Sequence, residues 1–107
     1  MSTFKHLNAN DLVNMLSVGK VQIVDIRDEG SFESGRIPGA QHLDNSTLQR
    51  FIEDADVDVP LVVCCYHGNS SQPAAAFLHE RGFEDVYSLD GGFSVWQTLY
   101  PDQVERS

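Results

Sequence analysis

The sequence predicts a single α/β domain of three layers, a central parallel sheet with helices on both faces. Three observations carry this. Apolar runs of strand length alternate along the chain with segments whose apolar residues recur at helical spacing. Strands separated by helices favour a parallel sheet covered on both sides. And a chain of 107 residues suits one domain, residues 1–107, with no linker, repeat or low-complexity segment to divide it. At that length roughly 65% of the unfolded chain's surface can be buried, enough to fold without metal or disulfide staples.

The elements follow in order. Residues 10–16 form a short amphipathic helix, capped by Asn8 or Asn10 and closed by Gly19. Residues 21–26 make the first strand, and residues 28–39 are rich in turn formers. A short strand is expected over residues 40–43, then a helix capped by Asn45 or Ser46 that carries Leu48, Phe51 and Ile52 on one face. Pro60 introduces the apolar run Leu61-Val62-Val63-Cys64-Cys65, a buried strand. The next helix begins near Gln72, has Pro73 in its first turn and stops at Gly82. Residues 86–89 form a further strand, residues 90–92 a turn, and residues 93–99 a closing helix halted before Pro101. The expected core is Val24, Ile26, Leu61, Val62, Val63, Phe77, Leu78, Val86, Leu89, Phe93 and Trp96.

In such a fold ligands gather beyond the carboxyl ends of strands. Cys65 lies at one of these ends, followed by the small polar loop Tyr66-His67-Gly68-Asn69-Ser70-Ser71 and then a helix. Turn-forming residues there let backbone N–H groups curl inward as an anion nest, and hydroxyls add donors. A thiol at a helix N-terminus among unpaired amides has its pKa lowered from about 8.5 to as little as about 3.5–7.5. Cys65 is therefore the candidate nucleophile. Strand alternation sends its neighbour Cys64 the other way, into the core. Adjacent cysteines make no ordinary loop-closing bridge, so both are expected to be reduced thiols.

Charge narrows the function classes. The net charge of −9 speaks against a nucleic-acid partner, and no basic amphipathic helix suggests a membrane. The first ten residues hold no apolar core of a signal peptide, and a cytoplasmic protein is expected. From Leu61 through His79 there is no Asp, Glu, Lys or Arg, so no side-chain anion stands beside the thiol in sequence. His6, His42 and His79 show no metal-ligand spacing with one another or with Cys65, and neither a metal nor a cofactor is expected.

Three reactions use a cysteine in such a cradle. A cysteine phosphatase normally carries an arginine six positions after the nucleophile, where this chain has Ser71. Thioredoxin-type disulfide exchange wants Cys-x-x-Cys, which is absent. Sulfur transfer remains, with a persulfide formed on the cysteine and removed by a second nucleophile in ping-pong fashion. His67 is a candidate base or a loop-packing residue. Arg27 and Arg36 are candidates for steering anions, or else partners in surface ion pairs with Asp28, Glu29 or Glu33.

Four segments in order resemble the rhodanese family over essentially the whole chain. Val24-Asp25-Ile26-Arg27-Asp28 is similar to its strand with Asp-Val-Arg, and Phe32-Glu33-Ser34-Gly35-Arg36-Ile37-Pro38-Gly39-Ala40 to its Gly-His-Ile-Pro-Gly-Ala signature. The Cys65 loop and Leu89-Asp90-Gly91-Gly92-Phe93-Ser94-Val95-Trp96, similar to Gly-Gly-x-x-x-Trp, complete the set. Arg36 stands where the family usually has histidine, and the loop lacks the basic residue many members place near its end. The resemblance implies a rhodanese-like fold and transfer of sulfane sulfur from thiosulfate, with sulfite released. In assay the acceptor is cyanide; small thiols or thioredoxin are the implied physiological ones. It also implies that Cys65 is catalytic and that Tyr66, His67, Gly68, Asn69 and Ser70 form the substrate and persulfide loop. A persulfide carrier fed by a partner protein and a regulatory module without turnover are the competing readings.

Overall fold

Each element of the fold starts or stops on a local signal. The computed structural model describes residues 4–107. After a first strand, β1 (Lys5–Leu7), helix α1 (Ala9–Val18) begins where the Asn8 side chain accepts the Asp11 N–H at 2.8 Å, and ends at Gly19 with φ +101°. Of the two expected caps, Asn8 is the one used. β2 (Gln22–Asp25) follows, then a helix the sequence reading had as turns, α2 (Glu29–Ser34), capped by Asp28 through the Ser31 N–H. Ile37, Pro38, Gly39 and Ala40 then form a tight turn, with the Ala40 N–H donating to the Ile37 carbonyl and Gly39 at φ +84°.

β3 (Gln41–His42) is shorter than the expected strand, and α3 (Leu48–Asp54) starts after Thr47 rather than at Asn45 or Ser46. The organising side chain there is Asp44, which accepts the amides of Ser46 and Thr47 at 2.9 and 3.1 Å and turns the chain into the helix. β4 (Leu61–Cys64) leads to the cysteine loop and α4 (Ser71–Glu80), after which Gly82 takes φ +115°. β5 (Val86–Leu89) and α5 (Gly92–Leu99) close the fold.

All strands are parallel, in the order β1-β5-β4-β2-β3. Alternation along β4 divides the core in two. Val62 and Cys64 face a cluster with Leu12, Ile37, Phe93 and Trp96, whereas Leu61 and Val63 face one with Ala75, Leu78 and Phe83. This is the three-layer arrangement expected. The chain leaves β2 toward β3 and leaves β4 toward β5, in opposite directions, so a crevice opens between the carboxyl ends of β2 and β4.

Two core assignments are corrected. Phe77 is 42% exposed on the outer face of α4, because Ala74, Ala75 and Leu78 supply that helix's contacts with the second cluster. Ile26 is half-buried, one residue past the end of β2, and packs against the second cluster from its margin. Among the described residues no helix is long and apolar enough to cross a membrane.

Candidate active site

The cysteine loop is built by what surrounds it. β4 delivers Cys65 one residue beyond its last paired position, and the first turn of α5 holds the backbone there: the Phe93 N–H donates to the Cys65 carbonyl at 2.9 Å and the Ser94 N–H to the Tyr66 carbonyl at 3.0 Å. With both carbonyls drawn toward α5, the following amides are free to face the sulfur. At Gly68, φ is +88° and an added Cβ would stand 2.8 Å from the Gly91 amide nitrogen. Gln72 Nε2 donates to the Gly68 carbonyl at 2.9 Å and fastens the turn to α4.

Two amides and a hydroxyl lie within hydrogen-bond distance of the sulfur; the thiol donates to the Ser71 hydroxyl, and the thiolate accepts from it. The amides of Gly68 and Ser71 lie 3.1 and 3.2 Å from Cys65 Sγ, and Ser71 Oγ lies 3.3 Å from it. Burial pushes the Cys65 thiol up. The Ser71 hydroxyl and the amides of Ser71, Gly68 and His67 outweigh it, so the thiol ionises below its ordinary value. Cys65 is 5% exposed, and Tyr66, His67, Asn69 and Ser70 form an exposed rim around it. Cys64 differs in every respect. It is buried in the first cluster, and desolvation together with the Asp25 charge lifts its thiol far above the ordinary range.

The structure brings together part of the expected set. Gly68 touches the sulfur through its amide, and His67 through the backbone rather than the ring, which tilts against Tyr66 at 5.2 Å between centroids. Tyr66, Asn69 and Ser70 shape the loop without a side-chain bond to Sγ; Asn69 and Ser70 offer their carbonyls to the Gln72 and Ala74 amides at the start of α4.

Both arginines are engaged with groups of the fold, and neither forms a surface ion pair with Asp28, Glu29 or Glu33. Arg27 is buried, with Nε 2.9 and 3.0 Å from the two Asp25 carboxylate oxygens and Nη2 2.6 Å from Oδ2. Nη2 also donates to the Gly35 carbonyl at 2.6 Å, and the guanidinium lies over the Phe93 ring at 4.3 Å. It ties β2, the end of α2 and α5 together beneath the site. Arg36 pins the C-terminal segment: it pairs in antiparallel fashion with Glu105, donates Nη1 to Ser107 Oγ at 2.9 Å and covers the Phe32 ring.

Ser88 is absent from the site the sequence indicates, and Ser71, the last residue of that loop, is not among its expected substrate-binding residues. Ser71, fully buried as the first residue of α4, supplies two of the donors to sulfur, and its hydroxyl is 2.7 Å from that of Ser88, also fully buried on β5. A serine within the otherwise apolar run Val86-Tyr87-Ser88-Leu89 was the available signal. Among the described residues no group of three or more His, Cys, Asp or Glu is placed to hold a metal.

Two predictions follow from this geometry. Gly92 sits at φ +58°, and a Cβ there would stand 2.4 Å from the Cys65 carbonyl oxygen. Gly92→Ala is expected to lose roughly 1–3 kcal/mol in urea unfolding and to disturb the loop that α5 holds; an unchanged midpoint would contradict this. Ser71→Ala removes the hydroxyl that favours the Cys65 thiolate. Because the folded pKa lies below the unfolded one, the thiolate's stabilisation is present above the unfolded value and is lost as pH falls through the folded one. The pH midpoint of Cys65 alkylation by iodoacetamide should therefore rise in Ser71→Ala.

A parallel five-stranded sheet with a cysteine cradled by amides at the carboxyl end of its central strand defines the class. The chain belongs to the rhodanese-like domain family, whose model matches residues 8–99. It is similar to the thiosulfate sulfurtransferase GlpE of Shewanella oneidensis, at 62% identity over 96 residues that cover 90% of this chain and 95% of that one. The protein of the same name from Pseudomonas aeruginosa is 54% identical over 99 residues, 92% of this chain and 89% of that one. Among solved structures, a rhodanese-like domain protein from Staphylococcus aureus matches with a TM-score of 0.82 at 25% identity, covering 97% of this chain and 99% of that one.

Proposed function

We propose that residues 1–107 form one rhodanese domain acting in the cytoplasm as a thiosulfate sulfurtransferase, with Cys65 as the residue that carries the sulfur. The observation that carries this reading is the set of donors on one sulfur, the amides of Gly68 and Ser71 and the Ser71 hydroxyl, in a protein similar to thiosulfate sulfurtransferases. The Cys65 thiolate attacks the outer sulfur of thiosulfate. The S–S bond of the donor breaks, sulfite leaves with the electron pair, and a persulfide anion remains on Cys65. Cyanide then attacks the terminal sulfur, thiocyanate departs and the thiolate returns; a thiol or thioredoxin takes the same sulfur as the physiological acceptor. Neither half-reaction calls for an external oxidant, metal or cofactor.

The donors do two jobs. They hold the thiolate before attack, and they stabilise the negative charge that returns to the sulfur when the persulfide is emptied. Their contribution is local, which lets a chain of net charge −9 receive a dianion: the damping of distant charge over about 8 Å leaves the amides to decide what the loop binds. A general base is unnecessary with a preformed thiolate, which fits the His67 ring lying against Tyr66. The exposed rim, with Tyr66 at 47% exposure, gives a protein acceptor such as thioredoxin access to the terminal sulfur.

Initial rates of thiocyanate formation at varied thiosulfate and cyanide test the proposal. Parallel double-reciprocal lines are expected from two half-reactions that share one enzyme form; intersecting lines, or no thiocyanate, would overturn it.

A further inference from the structure

We propose that Ser88 is a positioning residue for sulfur transfer, directing the Ser71 hydroxyl hydrogen onto the Cys65 sulfur. Three groups lie in a row at the buried junction of β4, α4 and β5: Cys65 Sγ, Ser71 Oγ at 3.3 Å, and Ser88 Oγ a further 2.7 Å on. Both serines are fully buried, and among the described residues the Ser88 hydroxyl has Ser71 Oγ as its one hydrogen-bond partner.

Counting hydrogens gives this row a direction. With Cys65 as a thiol, three hydrogens, on Sγ, Ser71 Oγ and Ser88 Oγ, compete for two contacts, so one buried donor is left without an acceptor. With Cys65 as a thiolate there are two hydrogens and two contacts, and both are used if Ser88 donates to Ser71 and Ser71 donates to sulfur. A hydroxyl has one hydrogen and two lone pairs, so Ser71 fills the middle place of this chain without loss. An unsatisfied buried donor is costly, so the row favours the charged form of the sulfur. Ser71 alone would leave the same surplus hydrogen on the thiol; Ser88 adds a donor to the Ser71 oxygen, which leaves the Ser71 hydrogen for the sulfur. Linked hydrogen bonds also polarise one another, which strengthens the end of the row that faces the sulfur.

The strand register places Ser88 for this task. It stands opposite Val63 in the β4–β5 pairing, with its side chain on the α4 face of the sheet, where the first turn of α4 brings Ser71 down. An apolar residue at position 71 would leave the Ser88 hydroxyl without its partner, and one at position 88 would leave the Ser71 hydroxyl with the sulfur alone.

The proposal rests on Cys65 being the sulfur-bearing nucleophile, but alkylation reads the ionisation of the thiol whether or not thiosulfate is its donor. A failure here is thus distinguishable from a failure of the kinetics above. The test is the pH profile of iodoacetamide alkylation at Cys65, told apart from the adjacent Cys64 by fragmentation of the labelled peptide, in wild type, Ser88→Ala, Ser71→Ala and the double variant. Both substitutions only remove an oxygen, so neither overpacks the core. Below the midpoint, Ser88→Ala should slow alkylation by about 1.5- to 4-fold, the share by which one hydrogen bond strengthens the next one onto a charged group, with the midpoint displaced upward. In the Ser71→Ala background the same change should have no effect, because the relay is already cut. An unchanged profile in Ser88→Ala, or an equal shift in both backgrounds, would overturn the proposal, the latter by showing that Ser88 acts through packing alone.

Discussion

Cys65→Ser is expected to abolish sulfur transfer while leaving the fold intact. The substitution keeps a small side chain in the same cradle, where the amides of Gly68 and Ser71 can still be satisfied by oxygen. What it removes is the atom that bonds to the transferred sulfur. A serine hydroxyl is not ionised at neutral pH, and no persulfide forms on it. Turnover should fall by at least about a thousandfold, as when an enzyme loses its nucleophile. The neighbouring thiol cannot substitute. Cys64 lies in the first core cluster, its thiol held protonated by burial, so Cys64→Ser should keep most of the activity. The comparison is made by thiocyanate formation, with circular dichroism to verify folding. Turnover retained in Cys65→Ser, or lost in a folded Cys64→Ser, would contradict the assignment of roles.

The largest effect on stability is expected away from the sulfur, at Arg27. Its guanidinium and the Asp25 carboxylate are both buried, meet through both carboxylate oxygens, and are completed by the Gly35 carbonyl and the Arg27 backbone amide. Arg27→Met keeps much of the apolar stem over Phe93 but strands the Asp25 charge in the interior. Breaking a buried pair in this way costs about 3–5 kcal/mol, whereas exposed pairs are worth about 0–1 kcal/mol. Since domains are stable by only about 5–15 kcal/mol, this is a large share of the total. Urea unfolding of Arg27→Met should show the midpoint fall accordingly at unchanged slope. A loss below about 1 kcal/mol would mean the pair behaves as a surface one. Replacing Asp25 and Arg27 together by apolar residues should recover part of the loss, because no unpaired charge then remains.

Those two residues also show where a sequence becomes hard to read. Their neighbourhood was recognisable as a motif, yet Asp25 and Arg27 are two residues apart at the end of a strand, and only the fold reveals that α5 and Gly35 close over them. The strands and helices with strong periodicity were legible: α1, β4, α4, β5 and α5 lie within a few residues of their expected positions. The missed ones are short. β1 is Lys5-His6-Leu7, a three-residue edge strand with one buried side chain, which carries no alternation long enough to see. α2 holds Gly30 and two serines in six residues, so its composition says turn, and it exists through the Asp28 cap and its packing. The Cys65 loop was legible because its chemistry is local in sequence. The Ser71–Ser88 contact was not, since it spans two elements that the sheet order alone brings together.

Intact-protein mass spectrometry after brief exposure to thiosulfate tests the central claim most directly, with Cys65→Ser alongside. The account predicts a gain of one sulfur atom in the wild type, removed by cyanide and absent from Cys65→Ser. No gain in the wild type, or an equal gain in Cys65→Ser, would contradict a persulfide on Cys65.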